Sequence, residues 1–223
     1  MPAAGKISTT LILLSALVSF AIACSLADRI ERGREDFLKG ELMYFPSGLF
    51  IKEFSLGHAP LMADLIWLRG IQYYGEHKLT DRNFKYLSHI FNTLTTLDPQ
   101  FSAGYIFGSL IISQEAGETA SAIHLLEKGV RENPGNWELL FETGFTYYVF
   151  LSDYRKSAQY FRLAAQIPNC PEYVTRFAAY SSSKSGDVDF AIKLWAELMR
   201  NTKNQQMREI AERNIRKLTL RRS

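Results

Sequence analysis

Little in this chain could build a covalent or metal-held framework. Its two cysteines, Cys24 and Cys170, stand far apart in different segments, which excludes a disulfide scaffold and a thiolate metal site. The four histidines, His58, His77, His89 and His124, are scattered, with no His-Glu-x-x-His and no pair at ligand spacing, so no metal is expected. Gly-x-Ser-x-Gly, Walker and dinucleotide-binding glycine patterns are missing too; Gly104-Tyr105-Ile106-Phe107-Gly108 falls in a helical pattern and reads as helix packing. Cys170 sits between Asn169 and Pro171 without the histidine or cationic neighbour that makes a thiolate reactive. These absences point away from an enzyme, a cofactor and a small-molecule substrate. Disorder is excluded as well, because 47% of the residues are hydrophobic against 22% charged, a balance that suits a folded core.

What the chain does have is a period of 34 to 35 residues. Leu87, Ala122, Ser157 and Ala191 form one column of it; Phe91, Leu126, Phe161 and Trp195 form a second, and Leu94, Gly129, Ala164 and Leu198 a third. Leu97-Asp98-Pro99, Glu132-Asn133-Pro134 and Gln166-Ile167-Pro168 close three of the four blocks, since proline cannot continue a helix. A repeat of this length built from two helical patterns resembles the tetratricopeptide family. Small residues for the contact between paired helices are supplied by Gly70, Gly108, Gly144 and Ala179, and the junctions Gly186-Asp187-Val188-Asp189-Phe190-Ala191 and Asp153-Tyr154-Arg155-Lys156-Ser157-Ala158 are similar to those of the family. The resemblance covers about Leu61 to Asn201. It implies an all-α solenoid of about three to four helical hairpins over residues 61–199. Pro60 opens the first helix, expected from Leu61 to about Gly75; a polar linker, Glu76 to Asn83, precedes a second helix from Phe84 to Leu97.

The same resemblance implies where partners bind. First helices of such hairpins line a concave groove, and in this chain they offer Asp64, Trp67, Tyr74, Tyr105, Phe141, Phe145, Tyr148, Arg176, Tyr180 and Lys184, an aromatic groove with a basic end. Trp, Tyr and Arg give large contact area with a polar tip; the competing reading is that several of these rings are intramolecular core. Trp67 and Ile71 stand where the family's carboxylate-clamping Lys and Asn would be wanted, so a chaperone-tail adaptor is not expected.

Between Lys6 and Asp28 there is no charge for 21 residues, and a helix of that length reaches roughly 30 Å, about the thickness of a bilayer core. Residues 1–27 therefore read as a transmembrane anchor with residues 7–27 in the membrane, as a cleaved signal, or as a lipoprotein signal in which Ala21-Ile22-Ala23 precedes a lipidated Cys24. Residues 28–60 read as a charged stalk followed by an apolar segment, Leu42 to Ile51, too broken for a helix and suited to cover the first repeat. Arg29, Arg32, Arg34 and Lys39 after the segment outnumber Lys6 before it, which keeps the repeats cytoplasmic by the charge rule, whereas a short leading tail favours export. The expected location is a bacterial inner membrane, with the repeats on the extracytoplasmic side.

Residues 200–223 carry eight Lys or Arg against two Glu, while the whole chain is only +3. Met207, Ile210, Ala211, Ile215 and Leu218 recur at helical spacing, so this is a basic amphipathic helix suited to cap the open end of a solenoid. The domain before it is net acidic, which argues against nucleic acid. The expectation is a non-enzymatic scaffold for a cell-envelope complex, or alternatively a lipoprotein that helps assemble a pilus or secretion channel.

Overall fold

The computed structural model describes residues 14–26 and 47–222, and the chain divides into two compact units, Met1–Pro46 and Ser47–Ser223. In the first unit residues 14–26 form helix α1, which exposes Leu14, Leu17, Val18, Phe20, Ile22 and Leu26. Among the described residues no helix is long and apolar enough to cross a membrane; α1 alone spans about 20 Å at 1.5 Å per residue. The rest of the uncharged stretch and the charged segment expected to be a stalk lie outside the described residues.

In the second unit every regular element among the described residues is a helix: α2 (Gly48–Phe54), α3 (Ala59–Leu79), α4 (Leu87–Leu97), α5 (Ser102–Gln114), α6 (Thr119–Glu132), α7 (Trp137–Phe150), α8 (Tyr154–Ala165), α9 (Glu172–Lys184), α10 (Val188–Asn201) and α11 (Gln205–Arg222). Short connections fold α3 on α4, α5 on α6, α7 on α8 and α9 on α10, and each hairpin packs on the next. All twelve residues of the three periodic columns are buried, so the 34- to 35-residue spacing marks the inward face of each second helix. Gly70 and Gly144 lie at contacts within a hairpin: a Cβ on Gly70 would stand 3.1 Å from Ile90, and one on Gly144 2.9 Å from the Phe161 ring. Gly108 does something different. A Cβ there would meet Phe91 of the preceding hairpin at 2.6 Å, which makes it a contact between hairpins.

Polar side chains tie successive hairpins at their turns. Asn133 donates to the Pro99 carbonyl at 2.8 Å, Gln100 to the Glu132 carbonyl at 3.2 Å and Asn136 to the Ser102 hydroxyl at 2.9 Å. Lys128 on α6 reaches the C-terminal turn of α4, where it donates to the Thr95 and Thr96 hydroxyls and the Asn92 carbonyl; a cation there also meets the negative end of the helix dipole. Arg162 on α8 donates to the Ser182 hydroxyl on α9 and to Asp187 at 2.6 Å, while its guanidinium lies 3.8 Å from the Phe190 ring centre on α10. Asp187 in turn caps α10 by accepting from the Phe190 N–H, as Asp153 caps α8 and Asn136 caps α7. At the far end α11 buries Ala211 and Leu218, with Met207, Ile210 and Ile215 packed beside them, against the core of the fourth hairpin.

Two expectations are corrected at the other end. Ser47-Gly48 opens a helix where a broken segment was expected: Ser47 accepts from the Phe50 N–H and so caps α2. Gly48 then lies so close to α4 that a Cβ would stand 2.8 Å from Thr96. The first helix also runs to Leu79, through the first half of the stretch expected to be linker, and α4 starts at Leu87 after a turn in which Tyr73 donates to the Asn83 carbonyl at 2.6 Å. Packing on α4 carries α3 past its glycines despite their low helix propensity.

Candidate partner-binding surface

The first helices α3, α5, α7 and α9 bring the candidate residues into two groups. In the first, Trp67 is half-buried between α3 and α5, its ring 5.3 Å from Phe101 and 5.5 Å from Phe107. Tyr74 lies 5.8 Å from Phe107 and donates to Glu115 at 3.4 Å. Lys78 pairs with the same carboxylate, and its hydrogen bond holds Glu115 below the ordinary carboxylate range.

The second group centres on Phe177 of α9. Phe141, Phe145 and Tyr148 of α7 approach it at 5.3, 6.1 and 6.4 Å, and Arg176 lies 5.8 Å from its centre. Tyr180 is set perpendicular to Trp195 at 4.9 Å and its hydroxyl accepts from Asn214 of α11. Lys184 stands 5.6 Å from the Tyr154 ring, which packs on Tyr148 at 5.3 Å. Each of these rings thus gives one face to a neighbouring helix and turns the remainder outward; Tyr180 keeps 39% of its surface exposed. No ring contact among the described residues joins the two groups.

Tyr105 does not belong to this surface. It is completely buried, its ring against Gly129, where a Cβ would come within 2.8 Å, and its hydroxyl donates to the Thr95 carbonyl. Burial pushes its phenol up to about 12. Glycine in the third column of the second hairpin makes the room that the ring fills, so Tyr105 is core.

Sequence reasoning passed over Glu142, which is half-buried on α7 beside Glu138. Burial first, and the neighbouring Glu138 charge second, raise its carboxyl above the ordinary value. A raised carboxyl favours the protonated form in the fold, so its contribution to stability is complete below the unfolded pKa and is lost as pH rises through the folded one. Glu142→Gln should therefore raise the melting temperature at pH 7, with the difference from the unmodified chain shrinking to nothing near pH 4. Melting curves taken between pH 4 and 8 would show this; equal melting at pH 7 would mean that the carboxylate is solvated.

The most concentrated polar cluster lies elsewhere. Glu127 of α6 accepts from the Tyr147 and Tyr160 hydroxyls, each at 3.1 Å, while Lys156 donates to Tyr147 and the two rings stack at 5.7 Å. Burial pushes both phenols above their usual range, so they remain donors at neutral pH and tie three helices together. Cys170 is half-buried, its thiol pushed up by burial and directed at the Ala165 carbonyl. Among the described residues no group of three or more His, Cys, Asp or Glu could hold a metal ion.

No family model matches the chain, and no curated protein does. Solved structures similar to it include a crystal structure of the MamA protein, 14% identical, covering 77% of this chain and 88% of that one with a TM-score of 0.48. Another is TTC0263, described as a thermophilic TPR protein in Thermus thermophilus, at 16% identity, 69% and 98% coverage and a TM-score of 0.44. A second MamA crystal structure is 14% identical, with 65% and 92% coverage and a TM-score of 0.44.

Proposed function

We propose that this chain is a non-enzymatic scaffold of the tetratricopeptide type, held in a bacterial inner membrane by its N-terminal apolar segment. On this reading its hairpins face the extracytoplasmic side and gather protein partners of a cell-envelope complex. The observation that carries the reading is the second aromatic group. Phe141, Phe145, Tyr148 and Tyr180 spend one face on helix packing, yet leave ring surface outward beside Arg176 and the exposed Lys184. Rings immobilised in this way lose little entropy on binding, and a cation at their edge selects for carboxylate or carbonyl on the partner. Trp67 and Tyr74 would extend the contact at the other end of the row.

Partner capture from native membranes tests it. The double variant Arg176→Ala/Lys184→Ala should lose most of the partner recovered by the unmodified chain, with helical content unchanged and melting within a few degrees, because both side chains reach solvent. Recovery at the unmodified level would remove the second group from the contact. The full-length chain should also stay with membranes through carbonate extraction, and protease protection in spheroplasts should place the hairpins outside the cytoplasm. A second reading, a lipidated assembly factor for a pilus or secretion channel, is favoured by Cys24, which follows Ala21-Ile22-Ala23 and is exposed on α1. Mass spectrometry decides between them: a diacylated Cys24 at the mature N-terminus supports the second reading, and an intact Met1 or Pro2 supports the first.

A further inference from the structure

Along α3 the residues Leu61, Leu65, Leu68, Gln72, Gly75 and Leu79 follow one another at alternating spacings of four and three. This is the spacing of a heptad seam, by which one helix packs lengthwise on another. The leucines are exposed, at 58%, 53%, 58% and 87%, and a Cβ on Gly75 would meet nothing within 4 Å. In the third and fourth hairpins the matching row is covered. Five residues before the small residues Gly70, Gly144 and Ala179 stand Leu65, Leu139 and Val174. Leu139 and Val174 are completely buried, because the hairpin in front packs on them; Leu139 Cδ2 lies 3.3 Å from the place of a Cβ on Gly129. Among the described residues nothing covers α3 in this way, since α2 packs mainly on α4.

We propose that this seam pairs with α3 of a second copy of the chain, the two helices running parallel about a two-fold axis. Head-to-tail stacking is blocked, because α11 occupies the face of α10 on which a following hairpin would pack; a contact available at one end only closes as a dimer. Parallel pairing sets Gln72 against its own counterpart, where the two amides can hydrogen-bond and fix the register, as a polar seam residue does in a parallel coiled coil. It also brings Asp64 opposite the partner's Arg69, five positions on. Antiparallel pairing would instead set the Gln72 amide against leucine. A lipid surface suits the seam less well. Its flanks carry Asp64, Arg69, Glu76 and Lys78, a mixture of signs, whereas membrane-binding faces carry clusters of basic residues. The seam offers on the order of 1,000 Å² for the two copies together, the lower bound for a specific interface, so association should fall in the micromolar range.

Sedimentation of the full-length chain in detergent, up to tens of micromolar, should show a monomer–dimer equilibrium. In Leu65→Glu/Leu68→Glu the dissociation constant should rise at least about 100-fold, because unpaired carboxylates would be buried in the seam. Circular dichroism should stay unchanged, since both leucines face solvent in the single copy. That variant keeps the N-terminal apolar segment, so a dimer that survives in it would overturn the proposal, as would a monomer at every concentration. Gln72→Cys in a Cys24→Ser/Cys170→Ser background should oxidise to a covalent dimer. A dimer that forms without this cross-link would overturn the parallel pairing. If the chain stays monomeric in detergent but binds vesicles through Leu65 and Leu68, lipid is the occupant and the proposal fails.

Discussion

Phe161→Ala should lower the stability of the hairpin stack by about 3 to 5 kcal/mol, the range for truncating a large buried aromatic. The ring has no exposed surface. It touches both neighbours of α8: Gly144 and Phe141 on α7, with ring centres 5.2 Å apart, and Phe177 on α9 at 5.3 Å. A cavity there cannot collapse from one side without opening the other, which places the cost toward the upper part of the range. Stability in a stack is a sum of nearest-neighbour terms, so the loss should also be local. Amides of α9 to α11 should exchange faster than those of α3 to α6. Urea unfolding followed by circular dichroism gives the total; a loss under about 1 kcal/mol would show that α8 is not wedged between α7 and α9.

Gly108→Leu should cost about 3 kcal/mol or more, at the upper end of overpacking. A Cβ at this position would lie 2.6 Å from Phe91 Cγ and 3.0 Å from Phe91 Cβ, the root of a side chain that cannot swing away without moving α4. Even Gly108→Ala should destabilise, although alanine in a helix is intrinsically better than glycine by about 1 kcal/mol. The two effects separate in a double-mutant cycle. In a Phe91→Ala background the obstruction is gone, and Gly108→Ala should become neutral or stabilising. Additive losses would mean that the first and second hairpins do not meet through this pair.

How much of this architecture could be read from the chain depended on which force decided each part. The inward face of every second helix was legible, because one packing demand recurs in each hairpin and leaves columns such as Phe91, Leu126, Phe161 and Trp195. The ends of the second helices in the first three hairpins were legible from Pro99, Pro134 and Pro168. The first helix was not, since α3 runs a full turn into the polar residues that suggested a linker, and its extra length shifts Gly70 out of the common spacing. α2 was hidden because Ser47-Gly48 has the composition of a turn and that of a helix start, and only the close approach to Thr96 decides between them. Tyr105 was placed outward because a helix apolar nearly all round does not announce which side faces its partner. Gly129 was the available signal: a glycine in a column otherwise filled by Leu94, Ala164 and Leu198 means that something bulky comes to meet it. Glu142 left no such trace, since a lone carboxylate in a helix reads as solvated until its neighbours are placed.

The Arg162 junction bears on how this protein can diverge. Its guanidinium lies against the Phe190 ring while donating to both the Ser182 hydroxyl and Asp187, and only a flat, forked cation can do these things at once. Lysine would keep the charge and reach Asp187, but it would lose the plane and the second bond. The exchange usually counted as the mildest available to an arginine is therefore among the least tolerable at this position, and variants that have lost Arg162 should have changed Phe190 or Ser182 along with it.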